Sequence, residues 1–321
     1  MHTHAFRTVT VHETDYRIFV EGEGLAVVLC HGFPGLAYSY RHQMSALADA
    51  GYKAIAIDML GYGGSSAPSD PSAYGYARIT RDLVAILDAL GVEKAVFVGH
   101  DFGAPAAWNV ALRAPERVAG LVLLSVPYDP DPMPRRPSDI YAAMAKKHFL
   151  HIHYFQAPGV AEAELDVAPR AFLSRLYHAL SGAYRYLDVW RFPSEGRGYL
   201  DVLPAAPPLP WSWLTEAELD VYVETFTRTG FRGGLNWYRA FDVNWEEGAA
   251  YFGKTIEAPT LFIAGEKDTV IEMRGKAGIA RMEAFVSDLR GVHVLPGVGH
   301  WVQQEASEEV NARLLDFLRS V

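Results

Sequence analysis

The sequence predicts an α/β fold: a mostly parallel sheet flanked by helices, with a helical cap inserted late in the chain. Three observations carry this. Through the first 126 residues, short runs rich in Val, Ile and Ala alternate with segments of helical periodicity. That rhythm breaks at Pro127-Tyr-Asp-Pro-Asp-Pro-Met-Pro134. It returns at Pro259-Thr-Leu-Phe-Ile-Ala264, after a long helix-like interval.

Thr8-Val-Thr-Val-His-Glu-Thr-Asp-Tyr-Arg-Ile-Phe-Val20 alternates in polarity around central turn residues and reads as a hairpin. Ala26-Val-Val-Leu-Cys30 is a short strand, 40–50 a helix and 53–57 a second inner strand. Over 79–90, Leu83, Ile86, Leu87 and Leu90 recur at helical spacing. A strand at 95–98, a helix at 104–113 and a strand at 118–126 continue the pattern. Strands apolar on both faces suit a buried parallel sheet, and repeated βαβ units place helices over both faces. The prolines after 127 exclude helix or inner strand, because proline fixes φ and removes a donor. From about 138 to 247 the segments are helix-like and aromatic-rich, broken by Pro204-Ala-Ala-Pro-Pro-Leu-Pro210. Trp190, Trp211, Trp213, Trp237 and Trp245 lie there. Strands at 259–264 and 293–295 and a closing helix at 310–318 complete the reading. The expected division is a core of residues 1–128 and 250–321 with a cap of 129–249.

The 321 residues are 50% hydrophobic and 21% charged, which suits a globular core with an insertion and excludes disorder. The single cysteine, Cys30, sits in an apolar run, so it is read as a small buried hydrophobe. It also excludes a disulfide framework or Cys-based zinc site within one chain. A net charge of −9 with scattered basic residues repels nucleic acid and anionic membranes. The first seven residues lack the basic start and apolar stretch of a signal peptide, and no run approaches the roughly 20 apolar residues that span a bilayer. A cytoplasmic protein with no nucleic-acid or membrane partner is expected, with a homodimer the one self-assembly considered.

Val96-Phe-Val-Gly-His-Asp-Phe-Gly-Ala104 reads as strand, sharp turn, helix. Within it, Gly99-x-Asp101-x-Gly103 has the spacing of a nucleophile elbow, with Asp where Ser usually stands. Taken alone, Asp101 serves equally well as a cap for the following helix. Its context decides. Asp268, in Gly265-Glu-Lys-Asp-Thr269, and His300, in Gly297-Val-Gly-His-Trp301, each follow one of the last two expected strands. The order nucleophile, acid, histidine is the one such an elbow requires, and catalytic groups gather at the carboxyl ends of strands in these sheets. Asp129 and Asp131 are alternative acids, although the prolines around them favour a turn. Cys30-His-Gly-Phe-Pro-Gly35 follows an earlier strand, so the backbone N–H groups of Phe33 and Phe102 are the expected oxyanion donors. His31 is read as a structural hydrogen-bonder. Gly61-Tyr-Gly-Gly-Ser65 is read as a turn, since it lacks the Lys and spacing of a phosphate loop.

Together these residues resemble the epoxide hydrolase branch of the α/β-hydrolase superfamily, and in particular the C-terminal hydrolase domain of the mammalian soluble enzymes. The resemblance runs from His31-Gly-Phe-Pro34 to Gly299-His-Trp301. It is most specific in Tyr154-Phe-Gln-Ala-Pro-Gly-Val-Ala-Glu-Ala-Glu-Leu165 and Gly230-Phe-Arg-Gly-Gly-Leu-Asn-Trp-Tyr-Arg239. It implies that Tyr154 and Tyr238 meet the epoxide oxygen, for which a phenol that stays protonated at neutral pH is suited. It further implies that Asp101 attacks an epoxide carbon and that His300, oriented by Asp268, activates water to hydrolyse the ester to a vicinal diol. No cofactor or metal is implied. The substrates would be a small apolar epoxide and water, in a detoxifying role. Phe102 departs from the Trp usual in the mammalian enzymes, which alters pocket shape and leaves the backbone donor in place.

The nearest alternative is a haloalkane dehalogenase or another α/β-hydrolase with an Asp nucleophile. A dehalogenase wants halide donors, a Trp beside the nucleophile and an Asn or second Trp, where this chain has Phe102 and Phe33. A fluoroacetate-type enzyme wants arginines where Ala104-Pro-Ala-Ala107 stands. A binding module would not need the ordered Asp, Asp and His. His151 and His153, in Lys147-His-Phe-Leu-His-Ile-His153, invite a metal reading. Residues two apart face apart on a helix, however, and no carboxylate or Cys completes a set.

Overall fold

A computed structural model of the chain describes residues 6–131 and 133–321. Residues 1–5 of the N-terminal segment and Pro132 of the proline stretch lie outside the described residues. Eight strands form one sheet: β1 (Phe6–Val11), β2 (Thr14–Glu21), β3 (Ala26–Cys30), β4 (Lys53–Ile57), β5 (Ala95–His100), β6 (Val118–Leu124), β7 (Thr260–Gly265) and β8 (Leu289–Leu295). Their order is β1-β2-β4-β3-β5-β6-β7-β8. Only the β1/β2 and β2/β4 pairs are antiparallel. In the β1–β2 hairpin, Val11 pairs with Thr14 across His12 and Glu13, whose φ values of 47° and 61° give the twist a two-residue hairpin turn needs.

Strand side chains alternate with period two, so each inner strand supplies two cores. Val28, Cys30, Ile55, Ile57, Phe97 and Leu121 join the helices Tyr76–Ala89 and Gly103–Arg113 through Ile79, Leu83, Ile86 and Val110. Val27, Leu29, Ala56, Val98 and Leu124 face the helices Arg41–Asp49 and Ser307–Leu318 through Met44, Leu47, Val310 and Leu314. The expected mostly parallel sheet with helices on both faces is what forms. Cys30 is fully buried, and burial pushes its thiol up to about 12.

Two elements depart from the sequence reading, one in its start and one altogether. β8 begins at Leu289, earlier than expected, because as an edge strand it is half-exposed along most of its length and lacks an apolar run. The helix Thr269–Ala284, interrupted at Gly275 (φ 57°), carries no sharp apolar stripe.

Between β6 and β7 the chain is helical, including Pro169–Leu180, Glu216–Thr229 and Arg232–Arg239. This segment is tied to the sheet layer by buried polar contacts. The Trp237 indole donates to the Leu60 carbonyl at 2.8 Å. The Arg41 guanidinium reaches Glu218 and Gln304, each at 2.7 Å, and the Tyr177 hydroxyl donates to the Pro34 carbonyl at 3.3 Å. Among the described residues, no helix is long and apolar enough to cross a membrane.

Candidate active site

Asp101 follows β5 with φ 53°, a left-handed conformation that costs a non-glycine residue about 1–3 kcal/mol and persists only where the surroundings enforce it. The enforcement is steric. A Cβ on Gly99 would lie 2.1 Å from the Gly103 carbonyl oxygen, and one on Gly103 would lie 1.8 Å from that of Cys30. Asp101 Oδ1 accepts the Phe33 N–H at 2.7 Å. A Cβ on Gly32 would fall 2.1 Å from that same oxygen and 2.5 Å from the Phe102 nitrogen. Gly32 therefore opens the notch in which Oδ1 sits, with one expected oxyanion donor bonded to it and the other bordering it.

His300 Nδ1 lies 3.0 Å from Asp268 Oδ2, and its Nε2 lies 3.7 Å from Asp101 Oδ2. Asp268 is fully buried, and its second oxygen accepts the Val270 N–H at 2.8 Å at the start of a helix. The acid is thus fixed in place and takes the Nδ1 proton of His300. Burial opposes a charge on His300. The charges of Asp268 and Asp101 and the contacts to both outweigh it and push the imidazole up to about 10. Asp101 moves the other way: burial would raise its carboxyl, but His300, His100 and the Phe33 N–H hold it below the usual carboxylate range.

The main chain of His300 is held as firmly as its ring. Its carbonyl accepts from His100 Nε2 and from Ser125 Oγ, both at 2.8 Å, and its N–H donates to the Leu180 carbonyl at 2.8 Å. Burial and the neighbouring His300 charge pull His100 down to about 4, so it serves as a neutral donor. Glu305 accepts the backbone N–H groups of Gly182 at 2.8 Å, and of Gly299 and Trp301 at 3.1 Å each. Sequence reasoning missed His100, Ser125 and Glu305. Only His100 carried a signal, as the unspecified residue inside the elbow.

The other sequence readings separate clearly. Asp129 and Asp131 pair with Arg274 and Arg281, away from His300. His31 Nδ1–H donates to the Gly32 carbonyl at 2.8 Å while Nε2 accepts the Met59 N–H at 3.0 Å, so both ring nitrogens are engaged and neither is free to act as a base. Residues 61–65 form a turn closed by the Ser65 N–H on the Tyr62 carbonyl at 2.9 Å.

The expected tyrosine pair is corrected in one member. Tyr238 lies over the elbow, its ring packed edge-to-face on Phe102 at 4.7 Å and Phe33 at 5.4 Å. Burial and the Asp101 charge keep its phenol protonated far above neutral pH. Tyr154 is elsewhere: its hydroxyl donates to Glu164 Oε2 at 2.9 Å, on the half-buried side of a one-turn helix, His151–Tyr154. The next residue, Phe155, is fully buried and fills the inner position against Phe33 and Tyr238. The residue that stands opposite Tyr238 is His151, ring to ring at 5.7 Å and edge-to-face. Burial pulls His151 down to about 4 against the opposing charge of Asp101, so it is neutral. Neither the Tyr238 hydroxyl nor His151 Nε2 has a hydrogen-bond partner among the described residues. Sequence reasoning had weighed His151 only as a metal ligand. Its signal was weak, because positions 151 and 154 sit one helical turn apart and spacing alone does not choose between them.

The chain is similar to known proteins along nearly its whole length. The profile of the alpha/beta hydrolase fold family matches residues 26–199. Epoxide hydrolase A of Mycobacterium tuberculosis is 45% identical, over 97% of this chain and 96% of that protein. Bifunctional epoxide hydrolase 2 of Mus musculus is 38% identical, over 94% of this chain and 53% of its own length. Among solved structures, an epoxide hydrolase from an endophytic Streptomyces superposes with a TM-score of 0.93 at 41% identity, covering 98% of this chain and 95% of that one. Epoxide hydrolase A from Mycobacterium thermoresistibile superposes with a TM-score of 0.89 at 46% identity, covering 98% of each.

Proposed function

Because the chain belongs to the epoxide hydrolases of the α/β-hydrolase fold, and is an enzyme that adds water to epoxides, we propose that it does so through an ester on Asp101, with His151 and Tyr238 as the ring-opening donors. The observation that carries this reading is the division of labour on the Asp101 carboxylate. Oδ1 is held by the Phe33 N–H, and Oδ2 is left facing His300 without a hydrogen bond.

Oδ2 attacks an epoxide carbon, the C–O bond of the ring breaks, and the departing oxygen is met by the His151 Nε2–H and the Tyr238 hydroxyl. Oδ1 becomes the ester carbonyl oxygen. A water beside His300 then gives a proton to Nε2 and attacks the ester carbon. The oxyanion on Oδ1 rests on the Phe33 and Phe102 N–H groups. Collapse breaks the Cγ–Oδ2 bond, and His300 returns its proton to the departing Oδ2. The water's second proton, released from the new carboxyl, completes the hydroxyl formed at ring opening, so the diol leaves and the Asp101 carboxylate is restored. Forming the ester removes one of the two carboxylate charges that hold up the His300 imidazole. With that charge gone the imidazole falls, gives up its Nε2 proton to solvent, and is free to take one from the attacking water.

Residues 129–249 are read as the cap that supplies both ring-opening donors to the core of residues 1–128 and 250–321. The wall of Phe33, Phe102, Phe155 and Tyr238 suits small apolar epoxides.

A single turnover in 18O-enriched water tests the ester route. The diol from enzyme in excess should carry no label, because its new oxygen comes from Asp101, and the label should appear in the carboxylate. Label in the first-turnover diol would show water attacking the epoxide directly. Gly32→Ala should lower diol formation about 100-fold in a steady-state assay, since the added Cβ displaces Oδ1 and a shift near 1 Å costs on that order.

A further inference from the structure

The geometry points to Tyr186 as a positioning residue that fixes the tautomer of His151, an assignment that rests on the donor role given to His151 above. The Tyr186 hydroxyl lies 2.9 Å from His151 Nδ1 and also meets the Tyr199 hydroxyl. Tyr186 and Tyr199 are 2% and 1% exposed, so their hydroxyl protons need acceptors within the protein. If Nδ1 carried the imidazole proton and donated it to Tyr186, Tyr186 would donate to Tyr199. The Tyr199 proton would then have no acceptor among the described residues. Run in the other direction, Tyr199 donates to Tyr186, Tyr186 donates to Nδ1, and every phenol proton is taken up.

That direction leaves the imidazole proton on Nε2, the nitrogen without a partner among the described residues. The distinction matters because the ring is neutral. With the proton on Nδ1, the site would present a lone pair to the epoxide oxygen; with it on Nε2, the site presents a donor. Stacking on Tyr199, at 5.8 Å and an interplanar angle of 4°, fixes the plane of the ring, and the edge-to-face contact with Tyr238 braces its other side. The two phenols thus make a dependable donor of a side chain that has two tautomers of similar energy in water.

Two-bond proton–nitrogen NMR correlations on protein carrying 15N-histidine read the tautomer directly, with the His151 signals identified by their loss in His151→Gln. Wild type should show the Nε2–H pattern. The test variant is the double Tyr186→Phe, Tyr199→Phe, in which neither hydroxyl is orphaned and the packing shape is kept. It should gain the Nδ1–H form. Its single-turnover ring opening should slow at least ~10-fold, part of the ~10²–10³ that losing such a donor costs. Ester hydrolysis should keep its wild-type rate. An Nδ1–H pattern in wild type, or an unchanged tautomer in the double variant, overturns the assignment. A changed tautomer with undiminished ring opening instead leaves the lock standing and removes His151 from the donors.

Discussion

Replacing His300 with Gln should stop the enzyme halfway, with the epoxide bound as an ester on Asp101. In the proposed mechanism, ring opening draws on Oδ2, Tyr238 and His151, none of which needs His300 to take a proton. Ester hydrolysis does, and loss of a general base slows it by roughly 10²–10⁴. Intact-protein mass spectrometry after addition of epoxide should show a gain equal to the mass of the epoxide. Peptide mapping should place it on the turn 99–103. Asp101→Ala should show no adduct. An inactive His300→Gln protein that stays unmodified would mean that water attacks the epoxide directly, and Asp101 would lose its role as nucleophile. The fully buried Asp268, bonded to Nδ1 at 3.0 Å, keeps the wild-type base in the tautomer this step requires.

The second large effect concerns the donors. Tyr238→Phe and His151→Phe should each slow single-turnover ester formation by about 10², as removal of one oxyanion donor does, and together by up to ~10⁴. Tyr154→Phe should leave that rate near wild type, because its hydroxyl serves Glu164. Equal losses from Tyr154→Phe and Tyr238→Phe would restore Tyr154 to the site and remove His151 from it.

Tyr154 also marks where the sequence stops being legible. Asp101, Asp268 and His300 could be placed because each ends or follows a strand of a parallel sheet, and topology brings strand ends together whatever the side chains around them. The same logic located Phe33 after β3; it admitted Asp129 and Asp131 too, and the prolines around them set these below Asp268 as candidate acids. The helical insertion has no such rule. One short helix carries His151 and Tyr154 a turn apart, and which one faces inward is decided by Phe155 packing on Phe33 and by Glu164 waiting on the other side. Tyr186 and Tyr199 belong to motifs of no recognisable kind, so their part in the site is visible only in three dimensions. Glu305 is similar. Its partners Gly182 and Trp301 lie far apart in the chain, and nothing in either neighbourhood announces the other.

The main-chain bond from His300 to Leu180, and the Glu305 carboxylate shared between Gly182 and the His300 loop, bear on how this architecture can be rebuilt. On the roles proposed above, a cap joined to the core through the backbone of the general base is not an interchangeable module. Transplanting the helical segment of a relative for a wider or narrower substrate range moves residues 180–182, and the histidine loop moves with them. Chimeras that also carry over the facing loop and its carboxylate should retain ester hydrolysis. Those that exchange the cap alone should open epoxides and stall on the ester, a defect easily mistaken for poor substrate fit.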